Sequence, residues 1–201
     1  MSEQDNVVVV TFDESSKAYE AWSIIKGCAA EGRIGLEEAC VVERNAKGEL
    51  NMVERTDNAE LAGTGTGSVL GMLVGVLGGP VGVLVGWGAG AIMGGAWDLG
   101  RIEASGEGIA MLSRAIPPGS NAVIASVHEP AVEVLDVEME KLGGTLTRRP
   151  IAEVTADLEA TEEAANAAAQ EARKTLYKQR KAKAKADVDE KVAKAKEKLH
   201  A

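Results

Sequence analysis

Apolar and polar positions alternate along this chain in three distinct regimes. The first opens with Val7 to Phe12 (VVVVTF), an unbroken β-branched run that predicts a strand buried on both faces. Asp13, Ser15 and Ser16 are suited to cap a following helix. Lys17 to Ala30 places Ala18, Trp22, Ile25 and Ala29 on one helical face, and Gly32 can end it. Leu36 to Arg44 and Glu49 to Arg55 read as a hairpin turning through Asn45, Ala46, Lys47 and Gly48. The same grammar returns further on. Ile102 to Ala115 predicts a helix with Ile109, Leu112 and Ile116 on one side, broken by Pro117, Pro118, Gly119 and Ser120. Ala122 to Val127 (AVIASV) is a second buried strand. Pro130 suits the first turn of a helix that points Val134, Val137 and Leu142 inward, with Gly143 and Gly144 as its stop. Thr145 to Arg149 is a last short strand. Strand, helix, glycine and strand thus occur twice, which predicts a ferredoxin-like split βαβ sandwich of the α+β class. Residues 1–60 and 100–150 form its halves.

The second regime, residues 61–99, separates the halves. Glycine recurs at Gly63, Gly67, Gly71, Gly75 and Gly79, then at Gly82, Gly86, Gly90 and Gly94, with Pro80 between the runs. No charged residue occurs from Ala62 to Trp97. Glycines four apart line one helical face and let another backbone come close. A soluble helix avoids such loading, because each glycine costs about 1 kcal/mol relative to alanine. The expectation is an apolar hairpin whose glycines pack helix on helix. Leu70, Leu73, Val74, Leu77, Val81, Val85 and Ile92 would then face lipid or a closed chamber. Each arm is barely long enough to cross a bilayer, so an oligomer, a spanning hairpin and a buried hairpin in a soluble core all remain open.

The third regime, residues 151–201, has neither glycine nor proline and is rich in Ala, Glu and Lys, a strongly helical composition. Its first part is acidic and its second, from Arg173 to Lys185, basic. Large apolar residues are few, and Leu158, Leu176, Val188, Val192 and Leu199 among them form the expected docking positions. A solvated helix, a coiled coil and a helix that docks on a partner fit this pattern.

Composition removes several function classes. A net charge of −9 argues against nucleic-acid binding. Aromatics at 3% leave little to line a large substrate pocket. Cys28 and Cys40 predict two small, partly buried thiols in a reducing compartment. The N-terminus lacks the basic and apolar regions of a signal peptide. Gly63 to Ser68 (GTGTGS) has no GxxxxGK[ST] continuation, so zipper periodicity explains its glycines without a nucleotide. His128 and His200 have no ligand partner at metal spacing, and the pair His128–Glu129 reads as a partly solvated loop. No nucleophile–base constellation is visible, so the chain reads as no enzyme, with no metal and no resident cofactor.

Four motifs carry a resemblance. They are VVVxxFD at Val7 to Asp13, a GxxxG-rich apolar hairpin from Gly63 to Gly95 followed by Asp98, PGxxAV at Pro118, Gly119, Ala122 and Val123, and GGTxxR at Gly143 to Arg148. Together they resemble a family of uncharacterised bacterial proteins labelled as predicted membrane or glycine-zipper proteins, over residues 5–150. The resemblance implies a ferredoxin-like domain with a membrane-associated hairpin, and no known activity. In layout alone the chain is also similar to the stalk subunits of actinobacterial uptake hydrogenases. That likeness implies membrane docking, passage of quinone and a larger redox enzyme held by the C-terminal helix.

The sequence therefore leads to a non-enzymatic, membrane-associated homo-oligomeric anchor or scaffold at the cytoplasmic face of the membrane. It would contact membrane lipid and no nucleic acid. The alternatives are a scaffold subunit of a quinone-linked oxidoreductase and a soluble binder of a small apolar ligand.

Overall fold

A computed structural model describes residues 4–57, 69–78 and 106–199. Its centre is a five-stranded sheet built from β1 (Gln4–Phe12), β2 (Gly35–Arg44), β3 (Leu50–Asp57), β4 (Asn121–Glu129) and β5 (Thr145–Pro150), in the order β3-β2-β4-β1-β5. Every neighbouring pair is antiparallel. Helix α1 (Ser15–Ala30) joins β1 to β2, and α4 (Glu133–Lys141) joins β4 to β5. In each unit a strand of the other unit lies between the two joined strands. This interleaving is the ferredoxin-like α+β arrangement, extended at one edge by β3.

The central strands explain the unbroken apolar runs. Val7, Val8, Val9 and Val10 have no exposed surface, because both faces of β1 are covered. Val8 and Val10 join Ala18, Ala21, Ile25, Cys28, Leu135 and Met139 in the core beneath α1 and α4. Val7 and Val9 join the opposite core with Val42, Ile124, Ile109 and Leu112. Helices α2 (Val69–Gly78) and α3 (Glu107–Arg114) contribute to that second core, as does the start of α5 (Ile151–Leu199) through Val154 and Leu158.

Two helical details differ from the expectation. Helix α1 begins at Ser15 after Glu14, and no side chain caps it, so Asp13, Ser15 and Ser16 do not play that part. In α4 the inward positions are Leu135 and Met139, whereas Val137 is half exposed. The helix starts later than Pro130, at Glu133; Val134 and Leu142 pack partly buried against the same core as Leu135 and Met139, so of the three expected inward positions only Val137 turns out. The stops hold. Gly32 and Gly143 both adopt positive φ (69° and 73°), and each closes its helix with backbone hydrogen bonds back to the preceding turn. Gly48 (φ 86°) ends the β2–β3 turn, in which Asn45 Oδ1 accepts from the amides of Lys47 and Glu49.

The chain divides into two compact units, residues 1–161 and 162–201. The first contains the sheet and the opening turns of α5. The second is helical through Leu199.

Candidate functional site

The apolar insertion is described only over α2, and its orientation is informative. Leu70, Leu73, Val74 and Leu77 are buried and pack against the sheet with Val42, Leu50, Ile109 and Leu112. These four residues were expected to face lipid or a chamber; in this structure they close the sheet's second face instead. The physical reason is that β1, β2 and β4 present their own apolar row there, and the nearest apolar helix covers it. The glycines of α2 divide: Gly71 is half-buried, Gly78 stands against the Leu50 backbone, and Gly75 falls on the other side. Gly75 is exposed, and among the described residues nothing lies within 4 Å of where its Cβ would be. Met72 is exposed beside it. Gly63, Gly67, Gly79, Gly82, Gly86, Gly90 and Gly94, with Val81, Val85 and Ile92, lie outside the described residues.

A buried polar cluster sits where β4, β1 and β5 meet the start of α4. Glu129 is 1% exposed. Its carboxylate accepts from Arg148 Nε at 3.0 Å, from Arg148 Nη2 at 3.0 Å and from Asn6 Nδ2 at 2.8 Å. Arg148 also donates to Asp136 Oδ1 at 2.7 Å and to the carbonyl of Val132 at 2.9 Å. Burial opposes the Arg148 charge, but the hydrogen bonds to Glu129 and Asp136 outweigh it and hold the guanidinium above its ordinary value. Such a fork-on-carboxylate contact satisfies both groups and fixes their planes. Glu129 is therefore no loop residue, as the sequence suggested, but the buried anchor of the GGTxxR arginine. His128 beside it is part-exposed and bonds Asp5 at 2.7 Å.

Arg44 closes β2 and is fully buried on the α2 face. Its Nη2 donates weakly to the Leu77 carbonyl at 3.3 Å and to Ser113 Oγ at 3.5 Å. Among the described residues Nε and Nη1 have no hydrogen-bond partner. Burial pushes the guanidinium below the ordinary arginine value. Native structures rarely leave such a group unsatisfied.

Asp157, on the first turns of α5, reaches the start of α3 and accepts from the Ile109 amide at 3.2 Å. It serves as an N-cap supplied from another helix, placing negative charge at the positive end of α3. The carboxylate comes so close that a Cβ on Gly106 would overlap it, and one on Gly108 would approach it to 2.8 Å. Asp157→Ala is expected to lower stability by about 1 kcal/mol. Gly106→Ala should lower it as well, by expelling the carboxylate; both effects are read from urea midpoints.

The tail residues separate. Leu158 is buried in the domain core, whereas Leu176 and its neighbour Tyr177 are exposed. The side chains of Val188, Val192 and Leu199 lie outside those described. Both cysteines are free and buried, and burial pushes the Cys40 thiol up to about 12. Among the described residues no cluster of His, Cys, Asp and Glu could hold a metal ion, and no helix is long and apolar enough to cross a membrane.

Residues 64–164, half of the chain, match the family described as Protein of unknown function (DUF1269). The chain belongs to the DUF1269 family. That match begins in the glycine-rich insertion and runs through α3, β4, α4 and β5 into α5. Glu129, Arg148 and Asp157 fall inside the DUF1269 region, and Asn6 and Arg44 precede it. No curated protein and no solved structure matches the chain. Of this constellation only Arg148 stood out in the sequence, through GGTxxR. Its partners stand 19 and 12 residues away, and Asn6 stands 123 residues from Glu129, so no local spacing could connect them.

Proposed function

We propose that this DUF1269 protein is a non-enzymatic, membrane-associated oligomeric anchor or scaffold. Its glycine-zipper insertion packs protomers together and meets lipid, and the helix beyond the domain docks a partner or a second copy. One observation carries the reading. Helix α2 turns its leucines to the sheet and leaves Gly75 outward, with no described residue within 4 Å of where its Cβ would be. A bare glycine on an exposed helical face costs stability with no return among the described residues, and close approach of another helix is the use that recovers it. The uncharged stretch from Ala62 to Trp97 supplies the apolar surface for lipid.

The test joins assembly with fractionation. Native protein is expected to sediment with membranes, to resist carbonate and to be released by detergent as an oligomer. Gly71→Leu with Gly75→Leu should reduce it to smaller species by blocking the approach. Complete recovery of the native protein in the soluble fraction would sink the membrane reading. An unchanged oligomer in the double variant would show that these glycines are not the contact.

The scaffold form of the reading, in which the tail holds a larger redox enzyme, is favoured by the exposed Leu176 and Tyr177. Truncation after Thr161 is the sharp test, because Val154, Asp157 and Leu158 belong to the domain and must be kept. The shortened chain should fold and lose its co-purifying partner.

A further inference from the structure

The four apolar side chains of α2 cannot cover the sheet and meet lipid at once. Either the helix stays down and lipid sees other residues, or it lifts. Beneath its last turn lies Arg44, with no exposed surface and, among the described residues, with no partner for Nε and Nη1. A buried guanidinium held only by contacts of 3.3 and 3.5 Å is poorly compensated for its lost hydration. Lifting α2 would return that charge to solvent, so the closed state carries an opposing term beneath the helix most in need of moving. The anchor point is also narrow. Gly78 ends α2 against the Leu50 backbone, where a Cβ would stand 3.0 Å from the carbonyl oxygen.

We propose that α2 is a removable cover over the sheet, and that Arg44 beneath it receives the phosphate group of an anionic lipid once the cover lifts. This rests on the membrane reading above for its ligand, but not for the cover itself. A guanidinium suits a phosphate because its donors match the phosphate oxygens, and a membrane surface brings that anion together with an apolar phase for Leu70, Leu73, Val74 and Leu77. Lifting would expose the apolar row of the sheet as well, so the change is expected at a lipid surface and rarely in water.

Two measurements on the full-length protein test it. The first is amide hydrogen exchange across residues 69–78 in solution, for the native chain, Arg44→Met and Arg44→Lys. Met fills similar space without the buried charge and should slow exchange of α2 by about tenfold, whereas Lys should not. Unchanged or faster exchange in Arg44→Met would overturn the proposal, since Arg44 would then be a cap that holds α2 down. The second is partition onto vesicles of phosphatidylglycerol with phosphatidylcholine, against phosphatidylcholine alone. The native chain should prefer the anionic vesicles and accelerate α2 exchange on them, and Arg44→Met should lose that preference. A staple, Leu50→Cys with Gly78→Cys, should abolish vesicle binding when oxidised and restore it when reduced. The two Cβ positions stand 3.3 Å apart, close to disulfide reach. Native protein that binds neither vesicle, while Arg44→Met still slows exchange, would overturn the membrane reading and the lipid ligand and uphold the cover. Acceleration of α2 exchange by inorganic phosphate alone would identify a soluble anion and overturn the lipid.

Discussion

Replacing Arg148 by Met is expected to destabilise the domain by about 3–5 kcal/mol, because it strands a buried carboxylate. Glu129 is fully buried on its side chain, and Arg148 supplies the charge that balances it. Asn6 donates one hydrogen bond, which is too little to replace an ion pair. The unpaired Glu129 then has to take up a proton or draw in water, and either disturbs the junction of β1, β4 and β5. A guanidinium chloride titration measures the loss as a lowered midpoint with unchanged slope. The double variant Glu129→Gln with Arg148→Met should recover a large part of it, since no buried charge remains. A loss below 1 kcal/mol in the single variant would mean that water reaches Glu129 freely.

Leu73→Ala should cost about 2–5 kcal/mol, the usual range for a large apolar side chain removed from a closed core. Leu73 has no exposed surface and sits among Val7, Val9, Ile109 and Leu112. On the same helix Gly75→Ala should raise stability by up to about 1 kcal/mol, because alanine is the better helix former and no described residue stands near its Cβ position. Opposite signs at two positions two residues apart fix the orientation of α2. A helix with its leucines turned away from the sheet would show little effect at Leu73. The pair also separates folding from assembly, since a stabilised Gly75→Ala that assembles poorly would place that glycine in a contact between protomers.

Much of the ferredoxin-like frame was legible along the chain. VVVVTF and AVIASV are unbroken because β1 and β4 lie at the centre of the sheet with both faces covered. The β2–β3 turn was legible from Asn45 and Gly48, whose side-chain acceptor and positive φ are local properties. The helix stops at Gly32 and Gly143 were legible for the same reason. Errors came where a local pattern fitted two phases. Val134, Val137 and Leu142 read as one inward face along the chain; Val134 and Leu142 do pack on the core, but its centre is filled by Leu135 and Met139, four apart, and Val137 lies off that face.

The candidate site was much less legible, and the difference is one of range. Glycine spacing and the absence of charge between Ala62 and Trp97 mark an apolar, closely packing insertion without any coordinates. They do not say which surface its leucines meet, because a row of leucine is equally suited to lipid, another helix or a sheet. The fold resolved that for α2 by leaving one face of the sheet bare beside it. Glu129, Arg44 and Asp157 carry no local signature, since a charged residue near the end of a strand or helix is ordinarily solvated. Their roles follow from partners brought near by strand order. Glu129 meets Arg148 because β5 returns to the far side of β1, and Asp157 reaches α3 because α5 starts on the same face. Periodicity and turn chemistry act over a few residues and can be read from the chain. Burial of a charge depends on what packs over it, which exists only once distant segments have come together.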